Sequence, residues 1–329
     1  MPIEDFRNHL NRDGCVAIPT ETVYGLAARY DSPKGISSIF RLKERPTFDP
    51  LIVHVASLDQ VKLLTEDWNN TADLLAKNFW PGPLTLVLKK LPSINSMITS
   101  GLETVGIRMP RHRLTLELLT SVGPLAAPSA NRFGRTSPTS AEHVRQEFAT
   151  AIAAGEILVL DGGECEVGVE STVCLVSENE VTLLRPGGVT IEQLRALFLE
   201  SPGHGETIVK TATNSHQSPG HLEHHYETEK PLIVSWLGPL QPEKTYAVEG
   251  KSIHGNRILA LKLPTDPLLA ARVLYATLRE GDRTENFDAL FFRRDVSKTG
   301  SSGGLWSAID DRLSRAARLQ IGDRPVAHV

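Results

Sequence analysis

The sequence is poor in cysteine: its 329 residues contain only Cys15, Cys165 and Cys174, and no two of them form a Cys-x-x-Cys pair. A sparse and odd number of cysteines argues against a disulfide framework and is typical of a reducing compartment. No apolar run approaches the roughly 20 residues of a membrane-spanning helix. Residues 1–5 carry acids in place of a signal-peptide core. We therefore expect a cytoplasmic protein with no membrane partner.

Clustered positive charge is also lacking. The chain has 35 Lys and Arg against 39 Asp and Glu, a net charge of -4, and no basic tail or stripe. Because phosphate-backbone binding needs clustered Lys and Arg, we expect no strong direct nucleic-acid binding, although a small basic pocket remains compatible with this charge. The Gly-x4-Gly-Lys-Ser/Thr, Gly-x-Gly-x-x-Gly and Gly-x-Ser-x-Gly motifs are all missing. Any ATP site must therefore use another scaffold.

Short apolar runs rich in Val and Ile alternate with amphipathic segments of helical length. The pattern predicts strands at 16–18, 51–55, 84–88, 105–109, 125–127, 157–160 and 172–176. It predicts helices at 33–42, 71–79, 115–121, 140–148 and 190–199. Strands and helices do not alternate strictly. The expected fold class is therefore α/β, with a twisted, mixed, open sheet and helices packed on it.

The composition changes between residues 201 and 230, where Pro, Gly, His and polar residues replace the apolar pattern. We interpret this stretch as a linker between residues 1–200 and a smaller domain at 231–329. The smaller domain shows a three-layer α/β pattern, with strands at 232–236, 258–263 and 289–292 and helices at 267–279 and 305–318. The linker contains His221, His224 and His225. No nearby cysteine completes a metal site, so we favour solvated histidines over metal ligands.

The most informative segment is 41–50, which places Lys43 and Arg45 directly before an apolar strand. Pro46 and Pro50 lack N–H groups and restrict the residues before them, which predicts a loop of fixed shape. Fixed cations at the mouth of an α/β sheet are suited to an anionic ligand.

The other segments that could bind a ligand or take part in a reaction follow or end predicted strands, where open α/β sheets bind ligands. Arg108 ends a strand in which Ile107 and Met109 should face the core, so its side chain should face a cleft or solvent. A guanidinium is the natural clamp for a carboxylate, and the alternative is a surface salt bridge. The hydroxyl-rich turn 19–26 is either a ligand site or an ordinary turn in which Glu21 is a cap. Segments 127–131 and 137–139 form a plausible phosphate cradle, and Arg185 adds a third basic residue.

In their order, these segments resemble the YrdC-type threonylcarbamoyl-AMP synthases, in the two-domain form with an extra C-terminal domain. The resemblance rests on PTETVYGLAA, KERPTFDPLIVHV, WPGPLTLVL, VGIRMP, APSANRFGRTSPT, DGG…GVEST and LLRPGG, which cover most of residues 14–190, and on a Ser-Pro-Gly…His-Tyr linker at 218–226. The C-terminal part matches more loosely, through LYATLRE and GLWSAIDDRLSRAA. The resemblance implies a YrdC-like catalytic domain at 1–200, a linker at 201–230 that folds over the active site, and a Rossmann-like accessory domain at 231–329.

The resemblance implies a nucleotidyltransferase that makes L-threonylcarbamoyladenylate from L-threonine, bicarbonate and ATP and releases pyrophosphate. Mg²⁺ is expected with ATP, no protein-bound metal is expected, and the downstream partner is the tRNA threonylcarbamoyl-transferase machinery. The implied threonine contacts are Thr22, His54, Arg108, Ser171 and the backbone of Ala127. The implied ATP and bicarbonate contacts are Lys43, Arg45, Asp49, Thr104, Ser129, Asn131, Ser137 and Arg185, with Tyr226 reaching from the linker. The residues expected to act in catalysis are Lys43, Arg45, Ser129 and Asn131.

Two features depart from the family pattern. Asp49 stands where the family often has Asn, and a carboxylate there would repel phosphates unless it held Mg²⁺ or a donor. The linker has His-Leu-Glu-His-His-Tyr where relatives commonly have a more basic run. A non-catalytic RNA-binding module is the main alternative function, which the net charge of -4 disfavours. A carbamoyl-adenylate enzyme of hydrogenase maturation would need acylphosphatase and zinc-finger modules that this sequence lacks.

Overall fold

A computed structural model describes residues 1–203, 206–212, 225–248, 250–294 and 303–322. The chain divides into two compact units. The first comprises Met1–Phe133 and Pro138–His221, and the second comprises Gly134–Ser137 and Leu222–Val329. The second unit therefore includes a four-residue segment from within the sequence of the first.

The first unit is a mixed sheet with helices on both faces, as the sequence predicts. Its strands are β1 (Cys15–Ile18), β2 (Gly25–Arg29), β3 (Ile52–His54), β4 (Leu84–Lys89), β5 (Thr104–Arg108), β6 (Leu125–Ala126), β7 (Ile157–Val159), β8 (Thr172–Ser177), β9 (Glu180–Arg185) and β10 (Ile208–Thr211). Its helices are α1 (Ile3–Leu10), α2 (Pro33–Lys43), α3 (Leu58–Val61), α4 (Asn70–Phe79), α5 (Ser96–Thr99), α6 (Arg113–Val122), α7 (Ala141–Glu147), α8 (Ala149–Ala153) and α9 (Ile191–Glu200).

Within the described residues, this sheet has the order β10-β9-β8-β4-β5-β3-β6-β2-β1-β7. The pairs β3/β5 and β4/β8 are parallel, whereas β4/β5 and β3/β6 are antiparallel. The sequence pattern missed β2, β9 and β10. Strand β10 lies inside the stretch interpreted as a linker, and it pairs with β9 in parallel. The predicted helices near residues 140 and 190 begin at hydroxyl N-caps, because the side chains of Ser140 and Thr190 accept backbone N–H bonds at the starts of α7 and α9.

The two faces of this sheet are covered differently. On one face, α2, α4 and α7 contribute Ile36, Leu75 and Val144 to the main hydrophobic core. On the other face, α1 and α6 pack through Phe6 and Leu118 onto β1, β2 and β6. The part of this second face formed by β3, β5, β4 and β8 carries polar side chains, and it becomes the candidate site.

The second unit contains a parallel sheet of order β14-β15-β11-β16 and a separate hairpin. Its elements are β11 (Leu232–Ser235), β12 (Thr245–Val248), β13 (Lys251–His254), a 3-10 turn (Gly255–Arg257), β14 (Ile258–Leu261), α10 (Pro267–Arg283), β15 (Ala289–Arg293), α11 (Leu305–Ala316) and β16 (Ala317–Ile321). Helices α10 and α11 contact each other and the sheet. The β12–β13 hairpin packs Val248 and Ile253 against Ile233 and Phe291. The predicted third layer is therefore a hairpin, and the end of the predicted helix 305–318 is strand β16.

No helix among these described ranges combines the length and hydropathy needed to cross a bilayer. The three cysteines are free and buried.

Candidate active site

Strand register brings residues that were predicted to bind L-threonine together on one sheet face. His54 on β3 pairs with Arg108 on β5, and paired residues on neighbouring strands share a face. On β3 and β6, His54 pairs with Leu125, and alternation places Ala127 on the same face. On the other side, Val173 of β8 pairs with Arg185 of β9, so Ser171 and Arg185 also face this way.

Arg108 is buried, with 3% of its surface exposed, so the surface salt-bridge alternative is wrong. Its Nη2 donates to Glu21 Oε1 at 2.8 Å, and its Nε donates to the carbonyl oxygen of Gly82 at 3.2 Å. Glu21 Oε2 accepts from the backbone N–H of Arg111 at 2.9 Å. Burial acts to raise the pKa of Glu21, but the charge of Arg108 and these hydrogen bonds outweigh burial and lower that pKa. Glu21 is therefore an ionised partner of Arg108.

His54 is a neutral imidazole beside this ion pair. Burial, and then the positive charge of Arg108, lower the pKa of His54 from 6.5 to about 3. Its Nδ1 has no hydrogen-bond partner within the part of the chain that the structure describes. A buried polar atom without a partner carries a desolvation cost, which a bound ligand can remove. His54 is thus suited to hydrogen-bond a polar ligand without adding charge.

Ser171 connects the two predicted subsites. Arg185 Nη2 donates to the Ser171 carbonyl oxygen at 3.0 Å and to Ser171 Oγ at 3.3 Å. Thr85 Oγ1 lies 2.8 Å from Ser171 Oγ. At Gly187, a Cβ atom would lie 2.3 Å from the backbone of Ser171, so only glycine permits this close approach. Arg185, which was predicted to contact ATP, therefore directly orients Ser171, which was predicted to contact threonine.

The loop that carries Arg45 is held by Arg45 itself. Its Nη2 lies 2.9 Å from the Asp49 carboxylate, and the same nitrogen donates to the Pro50 carbonyl oxygen at 2.9 Å. Its Nε donates to the Asp49 carbonyl oxygen at 3.1 Å. Both charged side chains are buried. The predicted fixed shape is present, but it results from these contacts as well as from the prolines. The carboxylate of Asp49 acts here as a partner for a cation.

Lys43 is the last residue of α2, and its side chain is buried. Its Nζ donates to the carbonyl oxygen of Ser129 at 2.6 Å and also to that of Asn131. Burial, followed by the nearby charge of Arg45, lowers the pKa of Lys43 well below its ordinary value. Lys43 therefore links the end of α2 to the 129–131 loop. Its amino group is hydrogen-bonded to two carbonyl oxygens and is repelled by the positive charge of Arg45.

The 20–26 loop lies against the 128–130 loop. Gly25 and Ser129 form an antiparallel bridge, and the Ala130 N–H donates to the Tyr24 carbonyl oxygen at 2.7 Å. Thr22 is fully buried, and its Oγ1 lies 2.8 Å from Thr20 Oγ1. The backbone N–H of Ala127 donates to the Ile52 carbonyl oxygen at 2.9 Å. The hydroxyl-rich turn and the predicted phosphate cradle therefore form one continuous wall.

Thr104 begins β5, at the opposite end of the strand from Arg108. It lines a narrow cleft on the same face, together with Pro50, Ile52, Thr85, Val87, Gly106 and Val173. Gly106 lies in this cleft, where a Cβ atom would approach Thr85 Cγ2 to 3.3 Å. The absence of a side chain at Gly106 keeps the space between Thr104 and Arg108 open.

Ser137 and Tyr226 belong to the second unit. Ser137 is fully buried. The Tyr226 ring lies 4.2 Å from the His225 ring, 5.8 Å from the Tyr275 ring and 5.5 Å from the Arg312 guanidinium. Tyr226 has a positive φ of 66°, which is uncommon for a non-glycine residue. His221 and His224, which we weighed as metal ligands, lie outside the described residues.

Three contributors were missed from the sequence: Glu21, Thr20 and Thr85. Glu21 was noticed only as a possible cap, although its position beside Thr22 in a turn after a strand could have marked it. Thr85 lies in the WPGPLTLVL segment, to which the sequence analysis assigned no site residue. Neither residue's partner could be found from the sequence, because Glu21 and Arg108 are 87 positions apart.

Comparisons with known proteins identify the family of this chain. The family model described as "Telomere recombination", Sua5_yciO_yrdC, matches residues 8–187. The model described as "Threonylcarbamoyl-AMP synthase, C-terminal domain" matches residues 189–318. A threonylcarbamoyl-AMP synthase of Pyrococcus abyssi is 44% identical over 323 residues, covering 93% of this chain and 91% of the relative. One from Bacillus subtilis is 43% identical over 227 residues, 68% of this chain and 64% of the relative.

The crystal structure of P. abyssi Sua5 complexed with L-threonine superposes with a TM-score of 0.80 and 34% identity, covering 97% of this chain and 96% of that one. The mixed α/β fold, the buried polar face and these matches define the class as a nucleotidyltransferase-type enzyme. The chain belongs to the threonylcarbamoyl-AMP synthase family, in the form with a C-terminal domain.

Proposed function

We propose that this chain makes L-threonylcarbamoyladenylate from L-threonine, bicarbonate and ATP and releases pyrophosphate. The observation that carries the proposal is the sheet face on which the Arg108–Glu21 ion pair and neutral His54 lie in register with the Ser171–Arg185 contact. A charged amino-acid subsite beside a second, basic subsite is what joining an amino acid to a nucleotide requires.

L-Threonine is the amino acid that we place at Arg108. Support comes from family membership and from the P. abyssi neighbour, whose structure was solved with L-threonine. The guanidinium of Arg108 would hold the carboxylate. His54, Ser171 and the backbone of Ala127 would bind the remaining polar groups, because they share the face of Arg108. Thr22 would join them from the 20–26 loop.

The contacts that we propose for ATP and bicarbonate in the first unit are Lys43, Arg45, Asp49, Thr104, Ser129, Asn131 and Arg185. Ser137 and Tyr226 belong to the second unit, and they stay predictions as nucleotide contacts. The described residues contain no group of three or more His, Cys, Asp or Glu placed to hold a metal ion. Mg²⁺ would enter as the Mg–ATP complex, ligated by phosphate oxygens.

The proposed chemistry has two steps. The deprotonated threonine amine attacks the carbon of bicarbonate, and a carbamate forms as water leaves. If bicarbonate first takes up a proton and loses water to give CO₂, the amine adds to CO₂ and releases a proton, so the net products are the same. A carbamate oxygen then attacks the α-phosphorus of ATP, and pyrophosphate leaves. Carbamate and triphosphate are both anions, so fixed cations are needed to bring them together. The protein contributes positioning and charge more than a covalent nucleophile.

The product would pass to the machinery that transfers the threonylcarbamoyl group to tRNA, and we place the reaction in the cytoplasm. Three free, buried cysteines are compatible with a reducing compartment. The RNA-binding alternative gains no support from the surface of the described residues. Exposed arginines are matched by acids in the pairs Arg41–Glu156, Arg111–Glu166, Arg132–Glu44 and Arg145–Asp161. Such pairing leaves little unbalanced positive charge for a phosphate backbone.

The test is pyrophosphate release by the purified full chain with L-threonine, bicarbonate and Mg–ATP. We expect release to stop when threonine or bicarbonate is omitted.

Arg108→Ala should raise the KM for threonine far more than that for ATP, because Arg108 lies in the amino-acid subsite, whereas Arg45→Ala should chiefly weaken ATP turnover. Release that does not depend on threonine would overturn the substrate assignment, and equal effects of both variants on both substrates would contradict the division of the site.

A further inference from the structure

A buried carboxylate, Glu21, lies in the site but has no role in the proposed chemistry. Only 2% of its surface is exposed. Its carboxylate bridges Arg108 Nη2, at 2.8 Å, and the backbone N–H of Arg111, at 2.9 Å. Burying an ionised carboxylate is costly unless it is paired and hydrogen-bonded. Its presence beside the predicted carboxylate clamp therefore calls for a function.

The backbone around Glu21 is fixed on both sides. Thr20 Oγ1 accepts the N–H groups of Thr22 and Val23 at 3.1 and 3.2 Å, and donates to the Val23 carbonyl oxygen at 2.7 Å. The Glu21 carbonyl oxygen accepts the Val167 N–H at 2.7 Å. A turn locked by its own side chain gives the carboxylate little freedom to move. Glu21 is thus a rigid support for Arg108.

The hydrogen bonds of Arg108 lie on one edge of its planar guanidinium. The Gly82 carbonyl oxygen and the Glu21 carboxylate accept from Nε and Nη2, the donors on that edge. Nη1 donates to no acceptor among the residues that the structure describes; with Nη2 it forms the edge at the tip of the side chain, which we call the end-on edge. Because a guanidinium has five N–H donors in fixed directions, holding one edge sets the direction of the other.

We propose that Glu21 is a positioning residue that aims the end-on edge of Arg108 at the α-carboxylate of L-threonine and balances its charge, so that the subsite takes a zwitterionic amino acid and not a free oxyanion. The inference rests on the proposed function. It adds selectivity: a site next to a triphosphate must keep its amino-acid clamp from binding phosphate-like anions. When the substrate first binds, the carboxylate of Glu21 repels a dianion held on Arg108 more strongly than it repels the threonine zwitterion, whose own charges sum to zero.

The test measures pyrophosphate release from labelled ATP by the full chain and by Glu21→Gln and Glu21→Asp. For Glu21→Gln we expect the threonine KM to rise by about tenfold or more, the loss typical of a charged hydrogen bond. The ATP KM should stay within about twofold, since Glu21 does not contact the nucleotide region. Inorganic sulfate should become an inhibitor competitive with threonine. Glu21→Asp keeps the charge but shortens the reach, so the threonine KM should rise while sulfate still fails to compete.

Glu166→Gln is the matched control, because Glu166 is an exposed carboxylate paired with the Arg111 side chain. It should leave both KM values and the sulfate response unchanged. Thermal melting of each variant checks folding, and the Asp variant keeps the test open should the Gln variant not fold. The inference would be overturned by an unchanged threonine KM in both Glu21 variants, by equal changes in the two KM values, or by sulfate inhibition of Glu21→Gln no stronger than that of the parent. A parent chain without threonine-dependent release would instead overturn the proposed function.

Discussion

Acid should destabilise the first unit through His54. The pKa of this buried imidazole is lowered to about 3 by burial and by the charge of Arg108, whereas its ordinary value is 6.5. Between these two values the unfolded chain binds a proton that the folded chain does not. Stability therefore falls as the pH falls through this window, and it is fully retained above the unfolded-state pKa.

The size of the effect follows from the two pKa values. Each pH unit below the unfolded-state pKa costs about 1.4 kcal/mol, until the folded-state pKa is reached. Lowering the pH from about 7.5 to about 5 should therefore remove about 2 kcal/mol through His54 alone. A typical domain has a free energy of unfolding of about 5–15 kcal/mol, so this loss is measurable.

The measurement is amide hydrogen exchange of the peptide that spans β3, in the parent chain and in His54→Gln at both pH values. Exchange of core-strand amides reports the free energy of opening. The parent should lose about 2 kcal/mol more than the variant over this pH range, because only the parent carries the titrating imidazole. Equal losses in the two proteins would refute the reasoning. They would mean that His54 is charged in the folded state and adds a second cation beside Arg108.

Two further predictions concern contacts that the sequence did not reveal. Asp49→Asn removes the charge paired with Arg45 but keeps an acceptor, so we expect a loss of roughly 1–3 kcal/mol in the free energy of unfolding, measured by denaturant titration. An unchanged or increased stability would show that the Asp49 charge is not needed to hold the loop. Thr85→Val removes the hydroxyl beside Ser171 Oγ. The threonine KM should rise by about threefold to tenfold with little loss of stability, as expected for one neutral hydrogen bond; no change in KM would exclude Thr85 from orienting Ser171.

The elements that the sequence predicted well carry strong local signals. Helices α2, α4 and α6 follow an apolar period of 3.6 residues, and α7 and α9 begin at hydroxyl caps. Strands β3 and β4 are rich in Val, Ile and Leu. These signals depend only on neighbouring residues, so they survive without knowledge of the tertiary fold.

The missed elements lack such signals. Strand β2 (GLAAR) contains no β-branched residue, and it is extended because it lies between β1 and β6. Strand β16 directly follows helix α11 without a turn residue between them, so the sequence pattern runs on as a helix. Strand β10 has a mostly exposed pattern and depends on pairing with β9. In each case tertiary pairing overrides a weak local preference.

The sequence by itself determined which chemical groups the site contains and in what order they occur, because each group lies in a short segment whose shape prolines, glycines and strand ends largely fix. Only the tertiary structure decided which groups touch. Parallel pairing of β3 and β5 places His54 beside Arg108, and the 20–23 turn brings Glu21 to the same guanidinium from 87 positions away. Such pairings arise from sheet register and core packing, which sum many weak contacts over the whole unit, so no local pattern specifies them.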